Sequence, residues 1–187
     1  MEIKIHKGRP EDLSHRLEKE IKCYELLDSI GVEYIRADHD EAFDMDTCDA
    51  VGAALGTDIC KNLFLCNRQQ TEFHMLLMPG KKKFKTKDIS AQINSSRLSF
   101  AGEEHMAALL GLTPGSVTIL GLMNDDDKKV HLIIDKDLLR DHDSIGVHPC
   151  INTSTLKLSM EALLDKVIPA LGHEPTFVEL PWYTEED

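Results

Sequence analysis

The sequence predicts an α/β protein, a single domain in which helices surround a mixed, largely antiparallel β-sheet. Short apolar segments of strand length alternate along the chain with segments of helical periodicity. Hydrophobic residues make up 42% of the 187 residues and aromatic residues only 5%, which is typical of one α/β domain with a core of its own. Since no repeat, low-complexity tract or linker divides the chain, we expect one domain over residues 1–187.

The first half of the chain predicts an N-terminal helix and a central hairpin. Apolar residues from Pro10 to Ser29 recur at three- and four-residue spacing, which predicts an amphipathic helix over about residues 10–30. Leu63 to Cys66 and Phe73 to Met78 flank a polar connection and predict an antiparallel hairpin at the centre of the sheet. The other elements predicted here are a strand at Val32 to Ala37, a helix that Asp46 or Thr47 caps and Gly56 ends, and a helix from Thr86 to Ile93.

The second half predicts another hairpin and a final helix. Ser116 to Leu122 and Lys129 to Asp135 flank Asn124 to Asp127, which predicts an antiparallel pair with a tight turn. The aspartates of this turn suggest a cation site, but tight turns collect such residues and no further ligands accompany them, so we expect no metal. The remaining predictions are a short extended segment at Arg97 to Ala101, a helix at about Gly102 to Leu110, a helical turn at Asp137 to Asp141, strands at Ser144 to Val147 and at Leu156 to Leu158, a helix from Ser159 to Leu171, an edge strand at Phe177 to Leu180 and a frayed acidic tail.

Composition excludes several functional classes. A net charge of −12 argues against indiscriminate binding of nucleic acids, DNA included, because such binding depends on neutralising phosphates. The five cysteines are scattered and contain no C-x-x-C pair, which argues against a disulfide framework or a thiolate zinc site. The N-terminus has no signal-like apolar run, and no stretch approaches the roughly 18 apolar residues of a spanning helix. We therefore expect a cytoplasmic protein with no membrane role.

A basic segment from Lys81 to Lys87 stands out against this acidic background. It holds five of the 21 basic residues in seven positions. A positive patch on an acidic body steers an anion to one place, whereas a solvated loop between a strand and a helix is the plainer interpretation.

Two further stretches have the composition of a binding site. Lys61 lies where a helical segment gives way to an apolar strand, so its ammonium either borders a cavity, where it can polarise a carbonyl, or extends into water. Gly146 to Thr155 combines a glycine, a proline and small hydroxyl residues, in which His148, Asn152 and Thr153 offer side-chain donors and acceptors. The alternative for this second stretch is a well-capped turn between two strands.

These two stretches carry a resemblance to a known family. The motif T-D-I-C-K-N-L-F-L-C-N from Thr57, followed by G-x-H-P-x-x-N-T from Gly146, resembles the YbaK-like aminoacyl-tRNA editing family, and in particular its free-standing members that act on prolyl-tRNA. The similarity extends from about Cys23 to Leu180 and includes R-L-S-F-A, L-T-P-G-S-V and G-L-M-N-D, which begin at Arg97, Leu112 and Gly121.

The resemblance implies a barrel-like sheet and a trans-acting deacylase that hydrolyses mischarged alanyl-tRNA(Pro), without a metal, another cofactor or a covalent intermediate. Cysteinyl-tRNA(Pro) and other small aminoacyl-tRNAs are alternative substrates, and prolyl-tRNA synthetase is an implied partner. A pocket that excludes proline by size supplies the discrimination that the synthetase lacks.

The resemblance also implies roles for individual residues. Lys61 would anchor the terminal adenosine or polarise the ester, and the loop with Gly146, His148 and Pro149 would offer donors to the developing oxyanion. His148 is also a candidate general base, because its ordinary pKa lies near neutrality. The implied walls of the substrate pocket are Asn62, Ser99, Pro149, Asn152 and Thr153. The residues expected to meet tRNA phosphates are Lys81, Lys82, Lys83, Lys85, Lys87 and Arg97.

Three rival interpretations remain open from the sequence. Cys150 and His148 have the spacing of a thiol nucleophile with its base. An inactive relative would hold an aminoacyl-tRNA end without cleaving it. His74 and His131 lie in apolar strands and suggest metal ligands, but without a third partner we expect them to be core or sheet-face histidines.

Overall fold

The computed structural model of the protein describes residues 2–184. Its strands are β1 (Lys4–Lys7), β2 (Ile35–Asp38), β3 (Asp58–Ile59), β4 (Lys61–Asn67), β5 (Phe73–Met78), β6 (Leu98–Phe100), β7 (Val130–Asp135), β8 (Ser144–Val147), β9 (Ser154–Ser159) and β10 (Thr176–Val178). Its helices are α1 (Glu18–Ser29), α2 (Met45–Leu55), α3 (Thr86–Gln92), α4 (Glu103–Leu110), a 3-10 helix (Ile119–Asn124), α5 (Lys136–Asp141), α6 (Met160–Ala162), a π-helical turn (Leu163–Val167) and α7 (Ile168–Leu171). Within this range no helix is long and apolar enough to cross a membrane.

The strands form two five-stranded sheets, so the predicted mixed α/β class is confirmed. The first sheet has the order β1-β2-β9-β8-β3, and the second has the order β10-β7-β5-β4-β6. Each sheet combines parallel and antiparallel pairs. In residues 2–184 neither sheet joins its two edge strands, so the expected barrel is replaced by two open sheets around a shared core.

The central hairpin is confirmed and forms the middle of the second sheet. β4 and β5 pair antiparallel from Lys61 opposite Met78 to Cys66 opposite Phe73. The side chain of Asn67 closes the turn, because its Oδ1 accepts hydrogen bonds from the amides of Thr71 at 2.8 Å and Glu72 at 3.1 Å.

The second predicted hairpin is wrong. Its first arm contains the 3-10 helix, which starts beside Thr118, whose hydroxyl accepts from the amide of Leu120. Its second arm, β7, pairs parallel with β5 and with β10. A short apolar run buries its side chains equally well as a helical turn or as a strand, so its pattern cannot distinguish them. In the connecting turn, Asp125 accepts from the amides of Lys129 and Val130, both at 2.9 Å.

The N-terminal helix begins later than predicted, at Glu18. The carboxylate of Asp12 accepts a hydrogen bond from the amide of Ser14 at 2.9 Å, and a turn follows in which the amide of Arg16 donates to the carbonyl of Leu13. Side chains that bind nearby backbone amides in this way compete with helix formation. The segment after Pro10 is therefore irregular.

The structure also defines the positions of His74 and His131 and of the C-terminal residues up to 184. His74 and His131 lie opposite each other on adjacent parallel strands with ring centroids 5.3 Å apart, and neither ring nitrogen of His74 has a hydrogen-bond partner among the described residues. Burial lowers the pKa of His74 to about 4. Trp182 and Tyr183 in the described part of the tail donate hydrogen bonds to Asp137 and Asp88. The frayed acidic tail that the sequence predicts falls on the last three residues. Residues 185–187 lie outside the described range.

Candidate functional site

The two sheets meet at Cys60, and this junction brings the two conspicuous stretches of the sequence together. β3 pairs with β8 in the first sheet, with Ile59 opposite Gly146. After one intervening residue, Cys60, Lys61 begins β4 in the second sheet. Cys60 is buried between them, and its thiol donates to the carbonyl of Gly146 at 3.6 Å. Lys61 and Gly146 are therefore neighbours although they are far apart in the sequence.

A cavity of about 310 Å³ opens at this junction and is called the junction cavity below. Four of the predicted site residues line it, namely Lys61, Asn62, Gly146 and His148. The rest of its wall is mainly apolar and includes Phe43, Met45, Ile59, Leu63 and Val117. A cavity of this kind accepts a small group with one polar end.

Lys61 is fixed at the rim of the junction cavity. Its Nζ donates to the main-chain carbonyl of Lys82 at 2.7 Å. Burial lowers the pKa of the Lys61 ammonium, because partial desolvation disfavours the charged form. Two donor positions of the ammonium remain beyond this hydrogen bond, which a carbonyl or anionic oxygen in the cavity can accept.

Lys82, which supplies that carbonyl, has no exposed surface. Its ammonium pairs with Asp135 Oδ2 at 2.6 Å and with Asp137 Oδ2 at 2.8 Å. The hydrogen bond from Lys82 lowers the pKa of Asp137. The prediction that Lys82 meets tRNA is therefore wrong, since its charge is neutralised inside the protein by carboxylates that the sequence places more than fifty residues away.

Asn62 connects β4 to the 3-10 helix. Its Oδ1 accepts from the amide of Ile119 at 2.8 Å, while its Nδ2 donates to the carbonyl and the sulfur of Cys60, both at 3.3 Å. Both ends of the side chain are thus engaged, and Asn62 holds the wall of the cavity in place.

Gly146 allows the two stretches to approach closely. A Cβ at this position would lie 2.4 Å from Ile59 Cδ1 and 3.3 Å from Thr155 Cγ2. Any larger residue would push the Ile59 side chain toward the cavity that it lines. The glycine is required here by close packing rather than by a special backbone angle.

His148 presents a defined tautomer. Its Nδ1 lies 2.9 Å from the carbonyl oxygen of Ser154, which can only accept, so Nδ1 carries the proton and Nε2 is the free acceptor of the neutral ring. Burial lowers the pKa of His148, which favours this neutral form. The imidazole is therefore suited to accept a hydrogen bond from a water molecule near neutral pH.

A hydrogen-bond network that was not predicted from the sequence supports His148. His39 Nδ1 lies 2.6 Å from the carbonyl of Asp40, so its Nε2 is the acceptor and receives the Thr155 hydroxyl at 2.8 Å. The Thr155 oxygen in turn lies 3.5 Å from His148 Nδ1. Sequence analysis missed His39 and Thr155 because both are common polar residues whose proximity depends on the pairing of β2 with β9.

Phe43 is a further wall residue that the sequence analysis missed. It is 67% exposed and lies against Gly115, where a Cβ would come within 2.8 Å of Phe43 Cε1. The sequence signal that could have identified Phe43 is a large aromatic residue in the acidic segment from Asp40 to Asp46.

Three residues predicted to form the pocket wall do not line the junction cavity. Pro149 is buried, and the carbonyls of Asn152 and Thr153 accept from the amides of Ala42 and His39. Their backbone therefore fixes the segment that leads into Phe43. Among the described residues these three do not border the junction cavity itself.

The prediction for Ser99 is wrong. Ser99 lies on β6, opposite Cys66 at the far end of β4, whereas Lys61 begins that strand. Five residues of extended chain separate the two positions by about 17 Å. The register of β6 on β4 therefore keeps Ser99 away from the cavity.

Cys150 is not placed to act as a nucleophile. It is fully buried, and its sulfur accepts from the thiol of Cys23 at 3.4 Å. His148 Nδ1 is committed to the carbonyl of Ser154. The thiol interpretation is therefore contradicted by the packing.

The other basic residues predicted to meet tRNA fall into two groups. Lys81 lines a smaller compartment of about 130 Å³ together with Lys61. Lys85, Lys87 and Arg97 line a separate open cleft of about 810 Å³ with Phe84. Lys85 is half-buried, and its ammonium lies 3.7 Å from the centroid of the Tyr183 ring. Lys83 is exposed, and its Nζ donates to the carbonyl of Thr184 at 3.3 Å.

The fold and the junction cavity define an α/β protein with a small, partly apolar site that carries one cation and one neutral histidine. The model of the aminoacyl-tRNA editing domain family matches residues 42–166, a range that contains every residue lining this cavity. The chain belongs to that family, and the resemblance seen in the motifs is confirmed.

Similar proteins include two curated relatives and a solved structure. The prolyl-tRNA editing protein ProX of Acetoanaerobium sticklandii is 30% identical over 154 residues, which cover 82% of this chain and 93% of the relative. The prolyl-tRNA synthetase associated domain-containing protein 1 of Danio rerio is 25% identical over 90% of this chain and 88% of its own. A crystal structure described as a candidate trans-editing enzyme for prolyl tRNA synthetase superposes with a TM-score of 0.63 at 13% identity, covering 88% of this chain and 99% of its own.

Proposed function

We propose that the protein is a trans-acting deacylase that hydrolyses mischarged alanyl-tRNA(Pro). The observation that carries this proposal is the convergence of Lys61, Asn62, Gly146 and His148 on one cavity of about 310 Å³ in a chain of the editing family. The name of the ProX relative gives prolyl-tRNA as the substrate class.

We attribute selection to size. The apolar wall formed by Phe43, Ile59 and Val117 would receive the amino-acid side chain, and a close fit to alanine there would reject the larger proline ring. Exclusion by size supplies a discrimination that binding of a methylene or two cannot.

The cation and the histidine account for hydrolysis. The Lys61 ammonium donates to the ester carbonyl and stabilises the negative charge that develops there, an effect worth about 3 kcal/mol for a well-placed donor. A water oxygen attacks the carbonyl carbon, the bond to the ribose oxygen breaks, and the leaving ribose oxygen takes up a proton. His148 Nε2 positions that water as hydrogen-bond acceptor. The products are free alanine and tRNA.

The test is a deacylation panel. Purified protein is incubated with tRNA(Pro) charged with alanine, cysteine, serine or proline, and release of the amino acid is measured. We expect alanine to be released fastest and proline to be retained. Faster release of cysteine would move the specificity to cysteinyl-tRNA(Pro), and binding without release would identify a non-catalytic module.

The remaining basic residues of the two groups provide the tRNA contact in this proposal. Lys81, Lys83, Lys85, Lys87 and Arg97 would meet acceptor-stem phosphates, which fixes register without reading sequence. Replacing Lys87 and Arg97 by glutamate should weaken tRNA binding and reduce its dependence on salt. The charge-matched control is Lys7→Glu with Lys22→Glu on β1 and α1; equal losses in both double variants would contradict the assignment.

Residues 1–187 would act as one cytoplasmic editing domain. The name of the Danio rerio relative mentions prolyl-tRNA synthetase, which makes that enzyme the partner to test. Coprecipitation of purified synthetase with and without mischarged tRNA is the measurement.

A further inference from the structure

A second compartment of about 130 Å³ adjoins the junction cavity. The two spaces share the wall formed by Met45, Cys48, Ile59, Cys60 and Lys61. Beyond this wall, the smaller compartment is bounded by Pro79, Lys81 and Trp182. Lys61 therefore belongs to the wall that borders both spaces, and a ligand that occupies both would lie beside it.

Trp182 is held in one orientation although it is 55% exposed. Its Nε1 donates to Asp137 Oδ2 at 2.9 Å. The buried Lys82 ammonium lies over the ring, 5.0 Å from its centroid. Lys82 thus covers one face of the indole, and only the other face is available to a ligand. An aromatic surface fixed in this way needs little further ordering when a ligand stacks on it.

The chemistry of the compartment fits a flat ring with polar edges. Trp182, Met45 and Pro79 offer apolar surfaces, and Met45 is 48% exposed. Polar groups surround them, since Lys81 lies on one side and His142 Nδ1 contacts Asp58 Oδ2 at 3.0 Å on another. Nucleobases present this combination of apolar faces and hydrogen-bonding edges, and they stack on aromatic side chains.

We propose that this space, the base compartment, binds the terminal nucleobase of the substrate's 3′ end, stacked on Trp182. This inference rests on the proposed function. In an aminoacyl-tRNA the terminal ribose carries the base on one carbon and the ester on a neighbouring one, so base and ester must occupy adjoining spaces. The ester lies in the junction cavity, the ribose lies beside Lys61, and the base lies in the base compartment.

The single tryptophan of the chain makes a direct test possible. Intrinsic fluorescence of Trp182 is followed while the protein is titrated with the RNA trinucleotide CCA, with adenosine monophosphate and with ribose 5-phosphate. We expect saturable quenching by the first two ligands and none by ribose 5-phosphate, which lacks a base. Quenching by all three to the same extent, or by none, would overturn the stacking.

Kinetics of three variants complete the test. Trp182→Ala should raise the KM for mischarged tRNA about 10-fold with a smaller change in kcat, because the base stacks in the ground state and in the transition state alike. Trp182→Phe keeps an aromatic face and should stay within about 3-fold of the parent. Phe177→Ala removes another exposed aromatic residue, on β10, and serves as the matched control with unchanged kinetics.

The outcomes separate this inference from the function on which it rests. An unchanged KM in Trp182→Ala would overturn the base compartment and leave the deacylase standing. Saturable quenching by CCA in a protein that hydrolyses no mischarged tRNA would support the base compartment and overturn the proposed function.

Discussion

The ammonium of Lys61 donates to the main-chain carbonyl of Lys82 at 2.7 Å, so the lysine of the sequence motif is positioned by the backbone of the basic segment. The side chain of Lys82 points away from the surface and pairs with Asp135 and Asp137. A buried ion cluster thereby anchors the loop that holds the cation of the junction cavity. Residues of the basic segment therefore have different roles. Lys82 supports the site from inside the protein, whereas its neighbours Lys81 and Lys83 face solvent.

Replacing Lys61 by methionine should abolish most of the deacylation. The variant keeps the length and apolar stem of the side chain but removes the donor to the ester carbonyl, so kcat should fall about 100-fold or more. Deacylation of alanyl-tRNA(Pro) under saturating substrate is the measurement. Lys22→Met, on α1, is the matched control with kcat close to the parent, and a Lys61→Met variant with full kcat would contradict the role of the cation.

Replacing Lys82 by methionine should lower the free energy of unfolding by about 3 to 5 kcal/mol, because it leaves the buried Asp135 carboxylate without a cation and removes one of the two cations that pair with Asp137. Urea denaturation measures the change. Lys83→Met, one residue along and exposed, should stay within about 0.5 kcal/mol of the parent.

Acid titration gives an independent check on the same cluster. The pKa of Asp137 is lowered by Lys82 in the folded protein, so its stabilising effect is present above the pKa of the unfolded chain and is lost as pH falls through the lower folded value. Lys82→Met should reduce this acid loss of stability. An identical acid profile in the variant would show that the cluster is not what couples stability to pH.

The pH dependence of catalysis should reflect His148. Since burial lowers its pKa below the ordinary value of 6.5, the neutral acceptor predominates at neutral pH and is lost only as pH falls through the lower value. We expect kcat to be level near pH 7 and to decline well below pH 6.5. The His148→Asn variant should lack this acidic decline, after subtraction of uncatalysed ester hydrolysis; an unchanged decline would assign it to another group.

Substituting Gly146 by alanine should impair the enzyme through Ile59. The new Cβ meets Ile59 Cδ1, so the isoleucine must rotate toward the junction cavity, and we expect a higher KM and a loss of stability of about 1 to 3 kcal/mol. Ile59→Val removes the clashing Cδ1 atom. The double variant should therefore recover much of both losses, whereas additive losses would place the cause elsewhere.

Much of the site could be predicted from the sequence because the motif residues are close together along the chain. Lys61 and Asn62 are adjacent, and Gly146 and His148 are two positions apart, so each pair was recognisable within one short stretch. The central hairpin followed from two apolar runs around a polar turn. In contrast, the run around Ile119 has the same apolar character as a strand and folds as a 3-10 helix, since the core that it fills is built by distant segments.

The sequence by itself determined the family, the α/β class and the residues that we propose to carry the chemistry. Only the tertiary structure decided that Cys60 joins two sheets and sets Lys61 beside Gly146, that Lys82 is buried with Asp135 and Asp137, and that Ser99 is excluded. It also placed Trp182 in the wall of the base compartment, which adjoins the junction cavity. The physical reason is that burial, desolvation and ion pairing depend on partners distant in sequence, whose approach is fixed by strand pairing and not by any local pattern.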